Sequence, residues 1–494
     1  MKFQTKNIQE MKSDTVICFL FEDFNKKSSL FEYLNELSNN ELNRQIEAGV
    51  IKGSYLEAFK IAITNELKAV IIGLGKYSEL TRKRFSICLA AAARAAKGLS
   101  KNKSLAVELI EKEEGCNNPI FSFNKKDSAI ITTTGLRIGL YEFDKYLSKK
   151  KPVIETIEFV EQNITPEIEE GAKIGAYTSY AMKFAKDLVN EQAQIATPSY
   201  IAELAKEVSK ENNIEIKVFD KNQIKEMKMN AFLAVGQGSI NEPKFIHLTY
   251  KPKTTPRKKI ALVGKGITFD AGGMNIKPAT SMLTMKSDMT GAASVLGIIQ
   301  AIAKMNSDIE LHVVSALCEN MTSGKAYKQG DILTAMNGKT IEVDNTDAEG
   351  RITLADALTY CDSLGVDEVI DIATLTGAVI VSLGNNITGV MGNNQEQIDK
   401  FINCAKESCE NVWQMPILDE LKDNLKSEIA DMKNTGGRLA GTSTAAWFLS
   451  NFTKSKSWMH LDIAGTAYLE KSNKETLFGP TGVMIRSLIK YLIS

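Results

Sequence analysis

The sequence holds only three histidines in 494 residues, His247, His312 and His460, and each lies inside an apolar, strand-like run. A histidine in that setting is expected to be a hydrogen-bonded core residue, not a ligand. There is no HExxH helix, no G-x-S-x-G elbow and no cysteine with an obvious histidine partner, so zincin, serine-hydrolase and cysteine-nucleophile chemistry all lack local support. Excess charge of one sign is missing too. Sixty Lys+Arg balance sixty Asp+Glu, leaving no global field to draw in nucleic acid or an anionic membrane. The clusters Arg82-Lys83-Arg84 and Lys149-Lys150-Lys151 read as solvated faces or turns. The longest apolar runs, such as Thr15–Phe21 and Ala69–Leu74, fall far short of the ~20 residues a membrane helix needs. Met1 to Lys12 is polar, without the apolar core of a signal peptide. The seven cysteines (18, 88, 116, 318, 361, 404 and 409) are odd in number and form no CxxC pair. That is a reduced-compartment pattern, and the expected location is the cytoplasm.

The chain is long enough for two domains, because single cores stop growing near ~250–300 residues. Its 44% apolar and 24% charged content is ordinary for a soluble enzyme. Strand-like runs at Val16–Phe21, Ala69–Gly73, Ser104–Ile110 and Val153–Val160 alternate with helical stretches such as Ser86–Lys97. This predicts a smaller N-terminal α/β domain over 1–165. A connecting helix is expected over 166–195. Pro166 stands at its start, and Glu167, Glu169 and Glu170 complement the dipole. Pro198 opens a further helix. Over 196–494, strands are expected at Ile214–Phe219, Phe245–Tyr250, Lys259–Val263, Ile309–Ala316, Thr340–Val343, Glu368–Ile372 and Trp458–Ile463. Helices over Ala292–Lys304, Ile352–Ser363 and Thr442–Phe452 fall between them. The fold class is therefore α/β throughout, the larger C-terminal part being an α/β/α sandwich around a mostly parallel sheet. Such sheets carry reactive groups at the carboxyl ends of their strands.

Two segments supply the chemistry that imidazole does not. VGKGITFDAGGMNIKP spans 263–278 and is followed by MKSD at 285–288; NTDAEGR spans 345–351. Both begin where a hydrophobic strand is expected to end. Glycines 264, 266, 272 and 273 allow sharp turns and close approach. Asp347 and Glu349, two apart, would share one side of an extended stretch. Four carboxylates (Asp270, Asp288, Asp347 and Glu349) meeting at one point repel one another unless cations compensate, and two divalent ions bring them to neutrality. Lys277 and Arg351 add groups that can orient a substrate carbonyl or a small anion. The competing reading is a pair of surface loops, with NTDAEGR placing acids at a helix start. A nucleotide site has weaker support, since Gly264-Lys265-Gly266 and Gly73-Leu74-Gly75-Lys76 complete neither phosphate-binding pattern.

These segments, with WMHLDIAGTA at 458–467, GGRLAGTSTAAWFL at 436–449 and DIATLTGA at 371–378, resemble the leucyl (cytosol) aminopeptidase family over the whole second domain. The N-terminal domain is similar only in outline. The resemblance implies two divalent metals per subunit, zinc or manganese and in some cases magnesium. Asp270 and Glu349 would bridge them, Lys265 and Asp288 would complete one shell, and Asp347 the other. It implies that Lys277 polarises the scissile carbonyl and that Arg351 holds a bicarbonate ion acting as general base. Peptides with a free N-terminus are the implied substrates, with leucine and other apolar residues preferred. Met285, Thr374, Ala464 and Ala467 are the candidates for lining the side-chain pocket. A homohexamer is implied as well. Nucleic-acid binding by the N-terminal domain is a secondary role that the neutral charge does not favour.

Overall fold

The computed structural model describes residues 2–23, 27–110, 123–161 and 165–494; Cys116 lies outside them. The chain divides into two compact units, one of Met1–Ser179 with Lys471–Phe478, the other of Tyr180–Glu470 with Gly479–Ser494.

In the first unit β1 (Lys2–Lys6), β2 (Thr15–Phe21), β3 (Ala58–Ala62), β4 (Lys68–Gly75), β5 (Ser104–Val107) and β6 (Thr156–Val160) form one sheet in the order β1-β6-β5-β2-β4-β3. Only β3 runs antiparallel to its neighbour. β2 and β4 are buried along nearly their whole length, as near-continuous apolar runs in a covered parallel sheet should be. The β1 strand, KFQTK, was not expected from so polar a segment. It pairs with β6 from Lys2↔Thr156 to Lys6↔Val160 at the sheet edge, where polarity is tolerated. Buried Glu158 on β6 then accepts from the backbone N–H groups of Lys12 and Ser13. The basic cluster is held by its own neighbours: Lys151 Nζ lies 2.7 Å from Glu142, and Lys150 Nζ donates to the carbonyls of Asp144 and Lys145.

Proline opens two successive helices, Pro166–Asn190 and Pro198–Asn212. It costs nothing there, because the first helical N–H has no intrahelical acceptor. Thr197 caps the second by accepting from Tyr200 N. The division between the units falls inside the first of these helices, after Ser179.

The second unit is built on a sheet of β7 (Glu215–Phe219), β8 (Lys244–Tyr250), β9 (Lys259–Gly264), β10 (Gly266–Asp270), β11 (Glu310–Asn320), β14 (Glu368–Ala373), β15 (Thr388–Gly392), β16 (Val412–Gln414) and β18 (Trp458–Asp462). The small strands β12 (Ile332–Thr334), β13 (Thr340–Glu342) and β17 (Met432–Lys433) form a separate sheet. The main order is β16-β15-β18-β14-β9-β11-β8-β7, with β10 beside β11. Its centre is parallel: Val263 pairs with Val314, Gly264 with Ile372, and Ala373 with Asp462. The carboxyl ends of these strands therefore open on one edge. The GITFD segment, for which no strand was expected, is β10; it runs parallel to the second half of β11, which reaches Asn320 and not Ala316. Helices Thr290–Met305 and Glu349–Cys361, buried along almost every residue, pack on this sheet. All three histidines are buried on strands. His247 bridges His312 and Tyr360 at 2.9 and 3.0 Å, and His460 Nδ1 pairs with Asp371.

Candidate metal centre

Lys265 occupies the single residue between β9 and β10, at the carboxyl edge of the sheet. Its Nζ lies 2.9 Å from Asp288 Oδ2, 2.9 Å from Glu349 Oε1, and donates to the Thr374 carbonyl at 2.8 Å. Asp288 follows the short 3-10 turn Met285–Ser287, and the Thr374 hydroxyl fixes its other oxygen at 2.8 Å. Lys277 closes a second group: its Nζ is 2.8 Å from Asp270 Oδ2 and 2.6 Å from Asp347 Oδ1. Asp270 ends β10, and its Oδ1 accepts from Gly272 N and Asn320 Nδ2. Oxygens of Asp270, Asp347 and Glu349 all lie within 4.8 Å of one another. Asp288 joins this trio through Lys265.

NTDAEGR does not reach this arrangement as an extended stretch. Asp347 stands in a turn and Glu349 opens the helix Glu349–Cys361, so a turn and a helix start bring the two carboxylates together. The helix dipole favours an acid in that first turn. Of the four glycines in the first segment, only Gly272 and Gly273 have positive φ, +88° and +63°. Gly350 matters through space instead: a Cβ there would stand 2.5 Å from Lys265 Cε and 2.6 Å from its Nζ.

Burial alone would neutralise the lysines, but the carboxylates around them prevail and hold both ammonium groups above their ordinary pKa. The acids divide. Burial, reinforced by Glu349, pushes Asp270 up to about 6, and burial also raises Asp288 and Asp347. Burial acts on Glu349 in the same sense, yet Lys265 and Lys277 bring it below its usual value. The residues fit a pair of divalent cations on three counts. Four carboxylates face only two lysines; the donors are mainly oxygen, with one lysine nitrogen; and buried Glu349 Oε2 has no hydrogen-bond partner.

Arg351 sits two residues further along the same helix, buried. Its Nη1 donates to Asn434 O at 2.8 Å, its Nε has no partner, and burial lowers its pKa to about 10. A cavity of about 690 Å³ opens beside Asp347 and Arg351 and is also lined by Thr376, Met415, Arg438 and Thr442. Met285, Thr374, Ala464 and Ala467 are not among its lining residues. Thr374 instead touches Lys265 and Asp288, and Ala467 is buried. Asn320, Thr346 and Asn275 escaped the sequence reading. Asn275 and Thr346 exchange hydrogen bonds that tie the two acidic segments together.

Two family profiles match the chain: the N-terminal domain of the cytosol aminopeptidase family over residues 16–150, and its catalytic domain over residues 183–489. The chain belongs to the cytosol aminopeptidase family. Members are hydrolases of the aminopeptidase class that depend on a dinuclear metal centre, and the acidic cluster lies within the catalytic match. Among similar sequences, a probable cytosol aminopeptidase of Aquifex aeolicus is 40% identical over 491 residues, covering 99% of this chain and 97% of the relative. One from Clostridium perfringens is also 40% identical, covering 97% of each. Among solved structures, a tomato leucine aminopeptidase variant superposes with a TM-score of 0.88 at 33% identity, over 100% of this chain and 96% of that one. The bottromycin maturation enzyme BotP, in complex with Mn, gives 0.85 at 29% identity, over 97% and 98%. The cytosol aminopeptidase fold thus extends over both units.

Proposed function

We propose that this aminopeptidase releases leucine and other apolar residues from the free N-termini of peptides, using Lys265, Asp270, Asp288, Asp347 and Glu349 to hold two divalent ions. Asp270 from the Lys277 group and Glu349 from the Lys265 group come within 4.8 Å of each other and would be shared by the two ions. Lys265 and Asp288 would serve one ion, and Asp347 the other. The carboxylates that now keep Lys265 protonated are those that would turn to the ions; burial would then favour its neutral amine, the form that ligates. Zinc and manganese suit this oxygen-rich, single-nitrogen set, with magnesium a further occupant. When bound, the ions supply a hydroxide nucleophile at neutral pH and an anchor for the substrate's α-amino group. The residues of the chain do the rest. Lys277, less buried than Lys265, aims its ammonium at the carbonyl under attack and stabilises the developing oxyanion. Arg351, with an unsatisfied Nε beside the cavity, would hold a bicarbonate ion there, which would supply the general base that the site otherwise lacks.

One observation carries this reading: four carboxylates and two lysines interleave at 2.6–2.9 Å, with a buried acid oxygen left over. The test is hydrolysis of leucine-p-nitroanilide, lost on chelation and restored by Mn²⁺ or Zn²⁺. Metal-loaded protein that removes no N-terminal residue from a broad peptide library overturns it. Met285, Thr374, Ala464 and Ala467 remain proposed for the side-chain pocket, to be checked by exchanging each for a bulkier residue and profiling specificity. We place the enzyme in the cytoplasm, where its relatives are named to reside. Among the described residues no helix is long and apolar enough to cross a membrane. A homohexamer is proposed from family likeness, with sedimentation as the check. Nucleic-acid binding finds no support in Lys150 and Lys151, whose charges are engaged locally.

A further inference from the structure

Asn320 ends β11 opposite Asp270, its register partner on β10, and is fully buried. Its single amide nitrogen donates twice, to Asp270 Oδ1 at 2.8 Å and to the Thr346 carbonyl at 3.0 Å. Those acceptors belong to the two acidic segments, separated from Asn320 by 50 and 26 residues of chain. We propose that Asn320, backed by Tyr327, is a positioning residue of the metal centre that sets the separation between Asp270 and the Asp347–Glu349 turn. The inference rests on the metal-centre reading above.

Three observations converge on it. The amide can face only one way: turned over, its oxygen would meet a carboxylate and a carbonyl, three acceptors with no hydrogen between them. The orientation that satisfies Asp270 and Thr346 leaves Asn320 Oδ1 buried without a partner, an unfavourable arrangement that persists because the donors are needed where they are. The site is also closed around that oxygen. A Cβ at Gly273 would come within 2.8 Å of it, and Gly273 takes φ +63°, which only glycine adopts without strain. Finally, the Tyr327 hydroxyl donates to the same Thr346 carbonyl at 2.8 Å, and Thr346 Oγ1 donates to Gly272 O at 2.7 Å. The turn is thereby pinned from two sides. Asn320 touches no reacting atom in this arrangement; it acts through the Asp270 carboxylate, whose rotation it restrains together with the Gly272 N–H.

The test uses full-length protein stripped of metal, titrated with Mn²⁺ by calorimetry. Asn320→Leu keeps the shape of the side chain and removes both donors. Loss of such an outer partner should weaken Mn²⁺ binding about 10–100-fold. At saturating Mn²⁺, kcat for leucine-p-nitroanilide should fall while KM changes less than about threefold. A purely structural asparagine would instead lower the melting midpoint of the metal-free protein and leave Mn²⁺ affinity alone. Tyr327→Phe removes one of the two donors to Thr346 and should weaken Mn²⁺ binding by a smaller factor, about two- to tenfold. Affinity equal to wild type in Asn320→Leu overturns the proposal; should that variant not fold, equal affinity in Tyr327→Phe overturns it. Wild-type protein that binds no Mn²⁺ sinks the metal-centre reading itself, a separate outcome.

Discussion

Lys265 and Lys277 each bridge two carboxylates, yet their surroundings differ. The Lys265 side chain is 3% exposed between partners at 6% and 1%, whereas Lys277 is 14% exposed and its partner Asp347 31%. Lys265 is held on a third side by the Thr374 carbonyl, and Lys277 has no such tether among the described hydrogen bonds. Identical side chains are thus given different freedom. The deep lysine is fixed on three sides, and the shallower one keeps more room to move.

That contrast is open to direct attack. The largest effect should come from Glu349, which faces both groups: Glu349→Ala should reduce kcat/KM about 10³-fold or more, with the far-UV spectrum retained. Next, the two lysines should separate. Lys265→Met should weaken Mn²⁺ binding about 10–100-fold, whereas Lys277→Met should keep metal and lose about 10²–10³ in kcat. If the two variants lose metal equally, the distinction between deep and shallow fails. A smaller loss, about 10–100-fold in kcat, is expected for Arg351→Met, together with loss of any stimulation by added bicarbonate. The smallest effect lies outside both groups and serves as their control. Burial, with His312 and Lys217 nearby, holds His247 near 3, so it stays neutral in the fold while the unfolded chain protonates below about 6.5. Its contribution to stability is complete above about 6.5 and is lost as pH falls toward 3. His247→Gln should flatten the decline of the melting midpoint between pH 7 and pH 4 by a few degrees, at about 2–4 °C per kcal/mol. Mn²⁺ affinity should be untouched.

The α/β class and the central strands were legible because parallel strands covered on both faces must be apolar runs, as β9, β11 and β14 are. Four of the five proposed ligands, Asp270, Asp288, Asp347 and Glu349, were legible as acids clustered after strand ends, whereas Lys265 was named only through the family resemblance. Other features were hidden for physical reasons. β1 is polar because it lies at an edge, and β15, TGVMG, is glycine-rich; neither shows the alternation that reveals a strand. Spacing alone could not tell that Asp347 and Glu349 meet through a turn and a helix start. Asn320 left no local signal at all, since its partners are brought to it only by the pairing of β10 with β11.

Gly350 separates Glu349 from Arg351 at the point where the Lys265 side chain passes. One missing methyl group is what opens a path for an amine into the middle of an acid cluster. Alanine, the mildest exchange in most helices, would obstruct that path here and force the amine back from both of its carboxylates. Positions 265 and 350 should therefore change together across evolution: a homologue with any side chain at the second is expected to have given up lysine at the first.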